Sequence, residues 1–131
     1  MSTPLNGGRG FATMRRMSSG AFSVSGRQGA SKDLRILTPK GAISFSSGPA
    51  FREAIEASAA PRLIIDMTEV PSIDSVAVGI LVRAFVSCHK SGRKLALVGL
   101  GHRVKNVLQL TGIDPLFDTY ATVADAERGL G

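Results

Sequence analysis

The chain has 131 residues, 44% of them hydrophobic, with no tryptophan and a single tyrosine. That is room for one ordinary domain of roughly 100 to 150 residues around an aliphatic core, which excludes a two-domain chain and a chain too polar to fold. The formal net charge of +6 would point to nucleic acid if it were spread over the fold. Instead Arg9, Arg15, Arg16, Arg27 and Lys32 all precede the first acidic residue, Asp33, and from there on eleven basic residues stand against ten acidic ones.

One cysteine, Cys88, excludes an intramolecular disulfide, and with only His89 and His102 beside it no structural zinc site is expected. No run approaches the roughly 18 apolar residues needed to span a bilayer, and the start lacks the apolar stretch of a secretory signal. The expectation is a soluble protein of the reducing cytoplasm that carries no cofactor.

Residues 1–32 are rich in Gly and Ser and carry no sustained period of 2 or 3.6, so they are expected to be a flexible basic tail, with 33–131 as the folded domain. A short strand at Phe22 to Ser25 is the one element the Phe-Ser-Val-Ser alternation allows there. The Arg- and Ser-rich start also fits an organelle transit peptide, a solvated extension, or an over-long gene start with Met14 or Met17 as the true beginning.

The pattern then predicts a strand at Asp33 to Thr38, a turn at Pro39-Lys40-Gly41 and a short extended piece at Ala42 to Phe45. Ser46-Ser47-Gly48-Pro49 offers capping hydroxyls and a first-turn proline ahead of a helix over Ala50 to Ala59, with Phe51, Ala54 and Ile55 on one face. Leu63-Ile64-Ile65 reads as a central strand buried on both faces. A long helix follows over Ser75 to Lys90, apolar through Val76, Ile80, Leu81, Ala84, Phe85 and Cys88, with a second stripe at Val78, Val82 and Val86. So much apolar circumference means deep burial or a face offered to a partner. Ser91-Gly92 stops this helix. A strand at Lys94 to Val98, a helix at His102 to Leu110 ended by Gly112, and a terminal helix near Val123 to Arg128 complete the chain. Strands alternating with helices at these lengths imply an α/β fold: a small mixed, partly parallel sheet of about four strands with about four helices packed on it.

The chemistry of common enzyme motifs is missing. Gly99-Leu100-Gly101-His102-Arg103-Val104 lacks the third glycine of a dinucleotide fingerprint, and no Gly-Lys-Ser/Thr of a P-loop occurs. Ser75, His102 and the aspartates have no Gly-x-Ser-x-Gly elbow around them. Cys88 falls on the apolar face of the long helix, where a small core residue is expected rather than a nucleophile. The chain is read as a non-enzyme.

The stretch Leu63 to Leu116 resembles the STAS family, which includes bacterial anti-sigma-factor antagonists, stressosome subunits and the cytoplasmic domains of sulfate transporters. The resemblance runs in order through the apolar strand ending in Asp66, Val70-Pro71-Ser72-Ile73-Asp74-Ser75, and the helix start Val76-Ala77-Val78-Gly79-Ile80-Leu81. It continues through Gly92 to Val98 and the segment Val104 to Ile113 with its Leu-x-x-Thr-Gly-like ending. Weaker similarity reaches back to Asp33.

The resemblance implies an anti-sigma-factor antagonist that acts by partner switching: Ser75 is phosphorylated by an anti-sigma factor that is also a GHKL-type serine kinase. On this resemblance Ser44, Ser72, Asp74, Ser75, Val76 and Val78 are expected to form the binding surface. A serine phosphatase is a further implied partner, direct nucleic-acid binding is not expected, and the chain is expected to be a monomer or weak homodimer. Physically, a hydroxyl at a helix N-terminus stands near unpaired amides that tolerate phosphate, and about −1.5 to −2 added charges abolish a complementary interface. The same Asp74-Ser75 pair also reads as a plain N-cap worth about 1 kcal/mol.

Two departures from the family pattern stand out. Val76-Ala77 replace a small polar residue and glycine, and Ser44 stands where an acidic residue is usual. They favour partner binding over phosphorylation and leave open a second role, a constitutive scaffold subunit of a stressosome-like or lipid-transport complex.

Overall fold

A computed structural model describes residues 21–130 and the backbone of residues 15–19. The elements in chain order are β1 (Arg15–Ser19), β2 (Phe22–Gln28), β3 (Leu34–Lys40), α1 (Gly48–Glu56), β4 (Arg62–Asp66), α2 (Ser75–Lys90) and β5 (Lys94–Val98). They continue with α3 (His102–Leu110), a 3-10 turn (Asp114–Leu116), β6 (Asp118–Tyr120) and α4 (Val123–Leu130). Among the described residues the six strands form one sheet in simple sequential order. β1, β2 and β3 pair antiparallel, whereas β3, β4, β5 and β6 pair parallel. Each parallel step carries its crossover helix or turn, as two parallel neighbours require.

The alternation of side chains along the strands sorts the core into two layers. Leu37, Leu63, Ile65, Leu95 and Leu97 point to the side covered by α1, α2 and α3, where they meet Phe51, Ala54, Ala77, Leu81, Ala84, Val104 and Leu108. Leu34, Ile36, Ile64, Ala96 and Val98 point to the other side and are capped by Ala126 and Leu130 of α4. Ile64 and Ile65 are both fully buried, which is why Leu63-Ile64-Ile65 reads as an unbroken apolar run.

Three expectations need correction. The sheet has six strands rather than about four. Two of the additional ones lie N-terminal to the boundary drawn at residue 33, where Phe22 and Val24 are buried at 3% and 1% exposure and belong to the larger core layer. β2 pairs with β3 along six residues, from Ser23–Lys40 to Gln28–Arg35, so the apolar surface that residues 22–28 lack on their own is supplied by the sheet. Residues 1–14 lie outside the described residues. The third correction concerns the first helix, whose N-terminal serine does not cap it. The Ser47 hydroxyl accepts from the Ser44 amide at 2.8 Å and donates to the Ala42 carbonyl at 2.8 Å, knitting the preceding loop instead.

Candidate partner-binding site at the start of α2

Two loops at the same end of the sheet are zipped together beyond the C-terminal ends of their strands. The loop after β3 runs beside the loop after β4, with bridges at Lys40–Glu69 and Ile43–Ile73. The Gly41 amide donates to the Glu69 carbonyl at 3.0 Å, the Ile43 amide to Ser72 at 3.1 Å, and the Asp74 amide returns to Ile43 at 3.2 Å. The parallel pairing of β3 and β4 is thereby carried outward to the helix, and Ile43, Met67, Val70 and Ile73 bury beneath it.

Asp74 ends this zipper and begins α2. Its Oδ1 accepts from the amides of Val76 (2.9 Å) and Ala77 (3.2 Å), satisfying two of the donors that a helix start leaves open. Its Oδ2 accepts from the Phe45 amide at 3.0 Å. One carboxylate therefore locks the helix start and the neighbouring loop at once. The sequence reading leaves the first-turn amides open for a phosphate; the structure commits those of Val76 and Ala77 to Asp74.

Ser75 is the first residue of the helix and is exposed. Its hydroxyl makes no hydrogen bond to any other described residue, so nothing in the fold competes for it. Ser44 and Ser72 are half-buried on the zipped loops; Ser44 lies close to Asp74 through the Phe45 amide, and its hydroxyl is 3.3 Å from that of Ser46. Val76 and Val78 do not share one face. At about 100° per residue they point to different sides of the helix: both pack partly against the core, and Val76 also lines an open groove between α1 and α2.

The sequence reading missed Phe45, which is 81% exposed directly beside Asp74. A lone phenylalanine in Ser44-Phe45-Ser46-Ser47, a run otherwise fit only for a solvated loop, was the available signal. The face of α2 expected to be offered to a partner lies open at Gly79, Ile80 and Arg83, which line one groove with Pro49 and Arg52 of α1; the sequence did not place α1 beside it.

The remaining candidates resolve as structural. Cys88 is 2% exposed in the core, and burial pushes its thiol above the usual range, with the Arg93 charge opposing in part. His89 stacks on Phe85 with ring centroids 5.7 Å apart. No helix among the described residues is long and apolar enough to cross a membrane.

A mixed sheet with its helices divided between the two faces, and a capped helix start presenting an exposed serine beside zipped loops, define a small α/β domain. The sequence pattern of the STAS domain family matches residues 24–126, and the chain belongs to that family. It is 32% identical over 81 residues to the anti-sigma-B factor antagonist of Listeria monocytogenes, covering 60% of this chain and 71% of that one. It is 34% identical over 65 residues to a Thermotoga maritima protein provisionally named an anti-sigma factor antagonist, and there the match spans only 58% of the relative's length.

Among solved structures, an anti-sigma factor antagonist from Mycobacterium paratuberculosis superposes with a TM-score of 0.70 at 25% identity, covering 82% of this chain and 93% of that one. The unphosphorylated form of the anti-sigma factor antagonist SpoIIAA shares the fold, with a TM-score of 0.64 at 17% identity over 90% of this chain and 98% of that one.

Proposed function

We propose that this chain is an anti-sigma-factor antagonist that works by reversible protein binding, capturing an anti-sigma factor of the GHKL serine-kinase type through the Asp74–Ser75 end of α2. Unmodified Ser75 permits the complex and phosphoserine forbids it, with a serine phosphatase restoring the binding form. A cytoplasmic, non-catalytic, monomeric or weakly dimeric protein fits the same reading.

The observation that carries the reading is the accessible, uncommitted hydroxyl of Ser75 next to a carboxylate that is fully committed. A phosphate there places about −1.5 to −2 charges beside Asp74. With the Val76 and Ala77 amides already taken, the fold offers that charge little compensation, and the cost falls on any partner docked over the helix start.

The test is intact mass after incubation with purified candidate anti-sigma kinases and ATP, together with calorimetric binding of the same kinases. One added phosphate on the wild type and none on Ser75→Ala is expected, with binding lost in Ser75→Glu. Equal phosphorylation of both forms removes Ser75 from this role. The constitutive-scaffold reading draws on Ser44 and Val76-Ala77 standing where the family pattern has an acid, a small polar residue and glycine. It requires a large assembly by size-exclusion mass and binding that is indifferent to Ser75→Glu.

A further inference from the structure

The groove between α1 and α2 begins beside the proposed switch and runs along the second helix. On α2 its floor is the row Val76, Ile80, Ala84 and Cys88, spaced four residues apart, and its rim is the parallel row Gly79, Arg83 and Ser87. The far wall is α1, through Pro49, Arg52 and Ile55. The hollow comprises about 420 Å³ at the end nearest Phe45 and about 230 Å³ further along, and both parts share Arg52, Ile80 and Arg83. From Val76 to Cys88 the floor extends over roughly 18 Å at 1.5 Å per residue.

Its charge is predominantly positive, three arginines against one glutamate. Arg52 and Arg83 face each other across the groove, both exposed, and neither forms an ion pair or hydrogen bond with another described residue. Arg93 closes the far end, where its guanidinium donates to the Ser58 carbonyl at 3.0 Å. The acidic residue on the lining is Glu56. An apolar floor about three turns long between two helical walls, with unpaired arginines on its rims, is the complement of an amphipathic helix with acidic flanks.

Resting on the proposed partner-binding role of this end of the sheet, we propose that the α1–α2 groove seats an acidic, apolar-faced helix of the captured protein, with Phe45 as the anchor at its entrance. The serine then governs whether the complex forms, and the groove governs which partner is chosen. Arg52 and Arg83 select for carboxylates along the flanks of the incoming helix, and the small residues Gly79 and Ala84 let its backbone approach closely.

Two variants test this without disturbing the core: Arg52→Glu with Arg83→Glu, both exposed, and Gly79→Tyr, at a position where an added Cβ meets no atom within 4 Å. The defined probe is a helical peptide of about 16 residues, roughly 24 Å long, with leucines at i, i+3, i+4 and i+7 and glutamates on the flanks; its counterpart carries lysines instead.

Amide resonances of Arg52, Val76, Gly79, Ile80 and Arg83 should move with the glutamate peptide and not with the lysine one, and either variant should weaken binding about tenfold or more. Equal response to both peptides, shifts confined to another face, or no response overturns the inference. So does binding of phosphatidylserine vesicles that the double arginine variant abolishes, which would make the groove a membrane contact. With a captured anti-sigma factor in hand, loss of binding in Ser75→Glu but not in either groove variant sinks the groove and spares the switch. If no anti-sigma factor is captured at all, the switch fails, and the peptide result alone decides the groove.

Discussion

The Asp74 carboxylate and the Phe45 amide, 29 residues apart in the chain, are joined by a 3.0 Å hydrogen bond. Through it the residue that caps α2, next to Ser75 in the chain, also fixes the loop carrying the exposed Phe45 ring. Rigidity of the helix start and presentation of the proposed partner surface are therefore one structural property, and substitutions here separate stability from binding.

Asp74→Ala removes the cap and leaves the Phe45 amide to solvent. The expected loss is about 1 to 2 kcal/mol, lowering the thermal midpoint by several degrees. Asp74→Asn keeps an acceptor at the cap and should lose less. Thermal melts followed by circular dichroism measure both, and equal midpoints for Asp74→Ala and the wild type would show the cap to be energetically idle.

Phe45→Ala should separate binding from folding in the opposite sense. The ring is 81% exposed, so stability should change by no more than about 0.5 kcal/mol, whereas affinity for the captured partner should fall about tenfold or more, as for an aromatic anchor. Calorimetry on the variant checks this, and undiminished affinity removes Phe45 from the interface.

Gly99 and Gly112 both have positive φ, +66° and +75°, but only Gly99 is crowded. A Cβ there would stand 2.2 Å from the Thr68 hydroxyl oxygen, whereas at Gly112 it meets nothing within 4 Å. Gly112→Ala should cost about 1 kcal/mol, the price of the left-handed backbone, and Gly99→Ala clearly more. Urea midpoints rank the two, and the reverse order would contradict the close approach of the loops after β4 and β5.

Asp33 titrates below its ordinary value because the Ser31 hydroxyl and then the Arg62 guanidinium hold its charged form. Its folded pKa lies under the unfolded value of about 3.9. The stability it contributes is therefore present above pH ~4 and is lost as pH falls through the folded pKa. Urea unfolding between neutral pH and pH ~3 should show a wild-type loss that Asp33→Asn partly lacks. Parallel curves would mean that this cluster is silent.

Local signals were enough for much of the fold. The long helix lies at Ser75–Lys90 in sequence and structure alike, because Asp74 caps one end, Ser91-Gly92 stops the other, and the apolar period between them is unbroken. Leu63-Ile64-Ile65, Lys94–Val98 and His102–Leu110 were legible for similar reasons. The cap at Asp74 was legible as well, since a helix start carries its chemistry in adjacent residues.

What escaped depends on partners distant in the chain. β1 and β2 have too little apolar pattern to stand alone, and they become strands because β3 offers an edge to which Phe22–Gln28 can pair. β6 has only three residues, too few for any period, and is held by Ala96, Leu97 and Val98. Sequence alone decided the aliphatic core through composition, the α/β class through the order of its strands and helices, and the helix that bears Ser75 through its cap, its stop and its apolar period. Only the tertiary fold decided that Phe45 would stand beside Asp74 and that Arg52 would face Arg83. Hydrogen bonds between two loops, and the approach of two helices over one sheet, bring together residues whose chain separation leaves no periodic trace.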